Sequence, residues 1–181
     1  REGGGASATP ETASRDFDDA RAASRGAAAA DASRYYGDGK SLWRRVIAHV
    51  LTRGGTDIID DTTIDLAVDK LYLHYEHPSA WHIAHGAVDA ARRLRRSGVR
   101  VVLASNWDSR LPTLLRTLAL DDEFDAIVFS ADIGHEKPSE EFFHAVARAA
   151  DVPAARCAHV GDAPVADVAA ARSAGFGVAV L

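Results

Sequence analysis

The first segment with regularly spaced apolar residues begins near Lys40. Apolar side chains recur there at helical spacing and predict an amphipathic helix: Leu42, Trp43, Val46, Ile47, Val50 and Leu51. The polar run from Asp60 to Thr63 offers N-cap residues for a second helix, and Pro78 lies just beyond that helix's apolar positions. Two helices joined by a short polar turn predict a small helical module.

From residue 86 onward, helical periodicity alternates with short apolar runs. Helices are predicted over residues 86–97, 111–118, 140–150 and 165–174, and strands over residues 99–104, 124–130, 157–160 and 177–181. The run from Val99 to Ala104 is apolar at almost every position, as in a strand buried on both faces. Because strands that alternate with helices form βαβ units, the sequence predicts an α/β fold with a parallel sheet.

Residues 1–33 differ from the rest of the chain. They contain few large aliphatic or aromatic side chains and many alanines, so they offer little surface to bury. We predict a low-complexity or weakly helical segment there, then a helical domain over residues 34–79 and an α/β domain over residues 80–181.

The composition narrows the class of protein. The chain has 181 residues and no methionine, which predicts an incomplete product of its gene, and its net charge of −5 argues against a nucleic-acid surface. The sequence has no apolar run long enough for a membrane span. The single cysteine, Cys157, excludes an internal disulfide and favours an intracellular location, cytoplasmic or organellar.

Polar residues follow three of the predicted strands. Ser105 and Asn106 follow the first, Lys137 follows the second after a loop, and Asp162 and Asp167 follow the third. In an open parallel sheet, ligands bind beyond the carboxyl ends of the strands. A hydroxyl, an ammonium and two carboxylates at one such edge suit a phosphate group and Mg²⁺.

Taken alone, each of these residues has a more ordinary interpretation. Ser105 and Asp162 could each cap the helix that follows, and Asp167 could be a surface charge. Lys137 could be a solvated loop residue, but it is one of only three lysines, with Lys40 and Lys70, in an arginine-rich chain. The combination of all these residues at successive strand ends favours a site.

These residues resemble motifs of the haloacid dehalogenase superfamily. Ser105, Lys137 with the proline after it, and Asp162 with Asp167 match the superfamily's second, third and fourth motifs. The segments HGAVDAARRLRRSGVRVVLASN and VGDAPVADVAAARSAG are also typical of it. The resemblance covers residues 34–181 and is greatest to a eukaryotic group of the superfamily, above all its plant and algal members.

The resemblance implies a Rossmann-like core with a helical cap inserted after its first strand. Residues 34–79 would form most of the cap, and residues 80–181 the hydrolase core. The superfamily's first motif is an apolar strand that ends in Asp-x-x-Gly-Thr, and the sequence contains no such segment. We therefore expect a core without its first strand, normally a central one, and without the aspartate nucleophile that this strand carries.

The resemblance also assigns roles to the site residues. Ser105 would bind the transferring phosphoryl group, with Asn106 as a further substrate-binding residue. Lys137 would pair with the nucleophile and the phosphoryl oxygens, while Asp162 and Asp167 would bind Mg²⁺. In the superfamily, the aspartate attacks the phosphoester and forms a covalent intermediate, which divides one difficult displacement into two easier ones.

For the parent protein, we expect a Mg²⁺-dependent phosphatase that acts on a small phosphorylated metabolite. One alternative is a catalytically inactive binding or regulatory module that lacks the nucleophile strand. Another is a 2-haloacid dehalogenase. Asp162, directly after Gly161, argues against the dehalogenase, because those enzymes need no metal and typically lack this carboxylate motif.

Overall fold

A computed structural model describes the following parts of the chain: Arg15, Asp19, residues 39–53 and residues 60–181. Apart from Arg15 and Asp19, the predicted low-complexity segment lies outside the described residues. From Gly39 onward, the chain divides into two compact units, Gly39–Ala80 and Trp81–Leu181. The assignment of the first unit as a cap and of the second as a hydrolase core stays a prediction.

The first unit contains the two predicted helices. Helix α1 spans Lys40–Arg53, and helix α2 spans Asp61–Glu76. Asp60 caps α2, because its carboxylate accepts a hydrogen bond from the Thr63 backbone N–H at 2.7 Å. A short 3-10 helix follows at Pro78–Ala80, since proline does not continue the α-helix.

Apolar packing and surface ion pairs join α1 to α2. Val46 from α1 and Ile64 and Val68 from α2 are buried. On the surface, the Arg44 guanidinium binds Asp65 at 2.6 Å and Asp61 at 2.8 Å. The apolar contact supplies most of the stabilisation, because exposed ion pairs contribute little.

Helices and strands alternate in the second unit, as predicted. Its α-helices are α3 (Ala87–Arg96), α4 (Leu111–Thr117), α5 (Ser130–Ile133), α6 (Glu140–Ala150) and α7 (Ala170–Ser173). Its strands are β1 (Val102–Ser105), β2 (Ala126–Phe129), β3 (Ala158–Val160) and β4 (Val178–Val180), with 3-10 helices at Asp121–Glu123 and Ala154–Arg156 and a π-helix at Pro164–Ala169. Among the described residues, no helix is long and apolar enough to cross a membrane.

The four strands form two separate parallel pairs. β1 pairs with β2, with Val102 opposite Ala126, and β3 pairs with β4, with Ala158 opposite Val178. Within residues 60–181, each strand therefore has one edge without a strand partner. The predicted α/β, Rossmann-like fold is confirmed, whereas the absence of the first core strand stays a prediction.

Helix α6 lies at the centre of the core of the second unit. The Ser139 hydroxyl caps it by accepting a hydrogen bond from the Phe142 N–H at 3.3 Å. Phe142 and Phe143 are fully buried, and the Phe143 ring packs edge-on against Phe142 and Phe176 at centroid distances of 5.8 and 5.5 Å. Edge-to-face contacts of this kind stabilise a core beyond the area they bury.

Strand β1 differs from its prediction in position and in burial. It begins at Val102 rather than at Val99. Just before it, the Val101 N–H donates to the Asp125 carboxylate and the Asp125 N–H donates to the Val101 carbonyl, both at 2.8 Å. Val99 is about half exposed, and all four residues of β1 are only partly buried. β1 is thus less buried than its apolar sequence predicts, and among the described residues it pairs with one strand only.

The β3–β4 pair has one buried and one exposed face. His159 and Ala179 are buried, whereas Val160, on the opposite face, is 74 % exposed. Val178 and Val180 share that exposed face. Alternation with a period of two is the expected strand geometry, so the apolar side chains on the outer face are the unusual feature.

Candidate active site

The predicted site residues lie beyond the carboxyl ends of three strands. Ser105 is the last residue of β1, and Asn106 follows it; Lys137 lies between α5 and α6, which follow β2. Asp162 and Asp167 follow β3, Asp167 within the π-helix. Asn106, Lys137 and Asp167 are joined by direct hydrogen bonds.

The Asn106 carboxamide holds the backbone of Lys137 from both sides. Its Nδ2 donates to the Lys137 carbonyl at 2.9 Å, and its Oδ1 accepts from the Lys137 N–H at 2.8 Å. These two bonds satisfy the backbone N–H and C=O of Lys137, which lies in an irregular loop. The predicted substrate-binding residue therefore fixes the chain that carries the lysine.

The Lys137 ammonium forms a buried ion pair with Asp167. Its Nζ lies 2.6 Å from Asp167 Oδ1, and the two side chains are 15 % and 3 % exposed. A buried pair is costly to desolvate and is stable only when further hydrogen bonds satisfy its remaining groups. Here the further hydrogen bonds are made to the Asp167 carboxylate.

Two further donors surround Asp167. The Nε2 of His159 lies 3.0 Å from Oδ1, and the Ala163 N–H donates to Oδ2 at 3.0 Å. Burial alone raises the pKa of the Asp167 carboxyl, but the hydrogen bonds from His159, Lys137 and Ala163 outweigh it and lower that pKa to about 2. Asp167 is therefore a fixed anion at neutral pH.

Gly161 makes room for this carboxylate. A Cβ atom at that position would lie 2.3 Å from Asp167 Cγ, a distance that real side chains do not adopt. The absence of a side chain therefore lets the backbone after β3 pass directly over the carboxylate.

The loop after β1 is tied to the end of β2 at a second point. The Ser130 hydroxyl accepts from the Trp107 N–H at 2.9 Å and donates to the Trp107 carbonyl at 3.0 Å. The Trp107 ring also packs on Trp81 at 5.4 Å between centroids. Together with the Asn106–Lys137 bonds, these contacts fix the backbone that presents Ser105, which is itself partly buried.

The described residues fit Mg²⁺ only in part. No group of three or more histidine, cysteine, aspartate or glutamate side chains within them is arranged to hold a metal. Both oxygens of Asp167 already accept hydrogen bonds, whereas Asp162 is exposed. Mg²⁺ commonly uses one or two carboxylates together with waters and substrate oxygens, and Asp162 suits one such ligand.

Sequence reasoning missed His159, Ser130 and the role of Gly161. His159 is the middle residue of β3, between two exposed residues. Side chains alternate between the two faces of a strand, so that of His159 lies on the inner face. Burial of a polar ring without a partner would be costly, so an inward-facing histidine was a signal that a partner exists. Nothing in the spacing identified Asp167 as that partner.

Comparison with known proteins identifies relatives of this chain. Human haloacid dehalogenase-like hydrolase domain-containing protein 3 is 31 % identical over 137 residues, which cover 76 % of this chain and 54 % of the human protein. Beta-phosphoglucomutase of Bacillus subtilis is 37 % identical over 84 residues, which cover 46 % of this chain and 36 % of that protein. The chain thus spans about half the length of the mouse and human proteins named domain-containing protein 3.

Among solved structures, the fold is similar to the L-2-haloacid dehalogenase of Xanthobacter autotrophicus with chloropropionic acid covalently bound. The TM-score is 0.69 at 20 % identity, with 94 % of this chain and 65 % of that chain covered. Parallel strand pairs with polar side chains beyond their carboxyl ends define the class as a Rossmann-like α/β protein. A match to the family described as haloacid dehalogenase-like hydrolase extends over residues 7–175, and the chain belongs to that family.

Proposed function

We propose that the complete protein is a Mg²⁺-dependent phosphatase that hydrolyses a small phosphorylated metabolite. The observation that carries this proposal is the buried Lys137 ammonium, which Asp167 holds 2.6 Å away at the strand ends. A buried cation beside a strand-end hydroxyl, that of Ser105, suits an anionic group with several oxygens. The relative named beta-phosphoglucomutase supports phosphate chemistry further.

Each site residue has a distinct task in this proposal. The Lys137 ammonium neutralises charge that develops on the phosphoryl oxygens, which is most effective where water is excluded. The Ser105 hydroxyl donates a hydrogen bond to a phosphoryl oxygen and orients the group. Asn106 acts indirectly, because its two bonds fix the backbone of Lys137, the residue that carries the ammonium.

Mg²⁺ would bind through the exposed carboxylate of Asp162, together with waters, substrate oxygens and a ligand from outside the described residues. When bound, the ion supplies positive charge that stabilises anionic oxygens. The resemblance to the family implies an aspartate nucleophile on a further strand. Such a strand would pair with an edge of β1 or β3 that the described residues leave unpaired.

The proposal is tested by phosphate release from p-nitrophenyl phosphate with Mg²⁺, using the full-length protein. Lys137→Ala should lower kcat/KM by about 100-fold to 1000-fold, the usual effect of removing one charge-stabilising donor. Lys70→Ala is the matched control, since Lys70 is an exposed lysine on α2. Full turnover by Lys137→Ala would contradict the proposal.

The same preparation distinguishes the two alternatives. Chloride release from 2-chloropropionate without phosphatase activity would make the protein a dehalogenase, and Asp162 is the residue that argues against this result. Absence of both activities in the full-length protein would favour an inactive binding or regulatory module.

We further propose an intracellular location, in the cytoplasm or an organelle. Cys157 is a free, buried thiol, and burial raises its pKa, so it stays protonated. A buried, protonated thiol is compatible with a reducing compartment.

A further inference from the structure

His159 is a buried polar side chain without a role in the proposed chemistry. It occupies the middle of β3 and is 7 % exposed. Its ring packs edge-on against two aromatic rings, with centroid distances of 5.2 Å to Phe143 and 6.3 Å to Phe176. Close packing of this kind limits rotation of the ring.

The imidazole is directed at Asp167. Its Nε2 lies 3.0 Å from Asp167 Oδ1, the same oxygen that accepts from Lys137 Nζ at 2.6 Å. Because an ionised carboxylate only accepts hydrogen bonds, Nε2 carries the proton in this contact. The histidine is therefore a donor to the anion that holds the lysine.

We propose that His159 is a positioning residue, which holds the Asp167 carboxylate in the orientation that binds the Lys137 ammonium. Without this donor, only Lys137 and the Ala163 N–H hold the carboxylate, and its buried Oδ1 loses one of two partners. The consequence for catalysis rests on the proposed function, whereas the effect on the ion pair does not.

A packing role alone makes a different prediction. If His159 only filled space between Phe143 and Phe176, an aromatic ring without polar atoms would replace it. His159→Phe keeps a ring but removes the donor. His159→Gln loses the ring but places an amide N–H near the position of Nε2. The two variants therefore separate shape from hydrogen bonding.

The ammonium protons of lysine provide the first measurement. With ¹⁵N-labelled lysine, the full chain gives only three ammonium signals, from Lys40, Lys70 and Lys137. Because the Lys137 ammonium is largely buried and paired with Asp167, its protons should exchange slowly with water. The ammonium protons of Lys40 and Lys70, which are exposed, should exchange fast. His159→Phe should speed the Lys137 exchange by about tenfold or more, as loss of one charge-assisted bond predicts. His159→Gln should restore most of the protection.

Val146→Ala is the control for stability, because it creates a cavity in the buried face of α6 without touching the carboxylate's donors. It should leave Lys137 exchange unchanged. Unchanged exchange in His159→Phe, or faster exchange in Val146→Ala to the same extent, would overturn the proposal. Where His159→Phe does not fold, His159→Leu takes its place and the same comparison with His159→Gln applies.

Turnover of p-nitrophenyl phosphate by the full-length protein provides the second measurement. His159→Phe should lower kcat by about tenfold with little change in KM, and His159→Gln should recover it. If wild-type protein has no turnover but the exchange results hold, the positioning of Lys137 stands and the proposed function fails. If wild-type protein turns over and His159→Phe alters neither exchange nor kcat, the positioning role fails and the proposed function stands.

Discussion

Both units of the chain contain ion pairs, but these pairs differ in how far they are buried. In the first unit, Arg44 binds Asp61 and Asp65 across the surface of two helices, and the side chains of these pairs are 38 % to 87 % exposed. In the second unit, the side chains of the Lys137–Asp167 pair are only 15 % and 3 % exposed. Their distances are nearly equal, so distance alone does not distinguish the two kinds of contact.

Burial makes the difference between these ion pairs. An exposed pair is screened by water and salt, and its loss changes stability little. A buried pair requires desolvation of both charges and additional donors, which His159 and Ala163 supply to Asp167. An apolar pair of similar volume would often be as stable, so the retention of charge at the strand ends points to function.

The largest expected effect comes from removing one partner of the buried pair. Lys137→Met should reduce the free energy of unfolding by about 3 kcal/mol, because Asp167 would stay buried without its cation. Urea unfolding of the full chain measures this loss.

Lys40→Met is the matched substitution in the first unit, where Lys40 Nζ lies 2.5 Å from Asp69 Oδ1 in an exposed pair. It should change the unfolding midpoint much less. Equal losses from both substitutions would end the distinction between the two regions.

An intermediate effect is expected at acid pH. Since the pKa of Asp167 is about 2 in the folded protein and about 4 in the unfolded chain, its stabilisation is complete above pH 4 and is lost as pH falls from about 4 to about 2. The loss should reach about 2 kcal/mol. Asp167→Asn should be less stable at neutral pH, and its unfolding curve should approach that of the wild type near pH 2. A constant difference across this range would contradict the assignment.

The smallest effect is expected at Arg44. Arg44→Gln removes both surface pairs with Asp61 and Asp65 but retains most of the aliphatic part of the side chain. Its unfolding midpoint should be slightly below that of the wild type in dilute buffer and equal to it in about 1 M salt, because salt screens exposed charges. A salt-independent difference would show that packing, rather than charge, is responsible.

The apolar pattern was sufficient to predict much of the fold. The two helices of the first unit and the alternation of helices and strands in the second follow from periodicities that are visible in a single chain. The position of polar residues beyond the strand ends also followed from sequence order, because parallel strands bring their carboxyl ends together. This reasoning placed Ser105, Lys137 and Asp167 at those ends, where the structure has them; their roles stay a prediction.

Side-chain partners could not be predicted in the same way. The spacing did not indicate that Asn106 binds the Lys137 backbone rather than a ligand, because either use needs only a carboxamide after β1. The link between His159 and Asp167 depends on how the π-helix returns over β3. The early start predicted for β1 was wrong because Asp125 binds Val101 ahead of the strand, a contact between distant parts of the sequence.

At high protein concentration, the exposed face of the β3–β4 pair should determine how strongly the protein self-associates. Val160, Val178, Val180 and Leu181 together offer water an apolar surface beside a strand edge that the described residues leave unpaired. Surfaces of this kind favour self-association, and the net charge of −5 opposes it only weakly at high salt. Colloidal stability is thus set by the outer face of the same strand pair whose inner face carries His159, the partner of the buried Asp167 carboxylate.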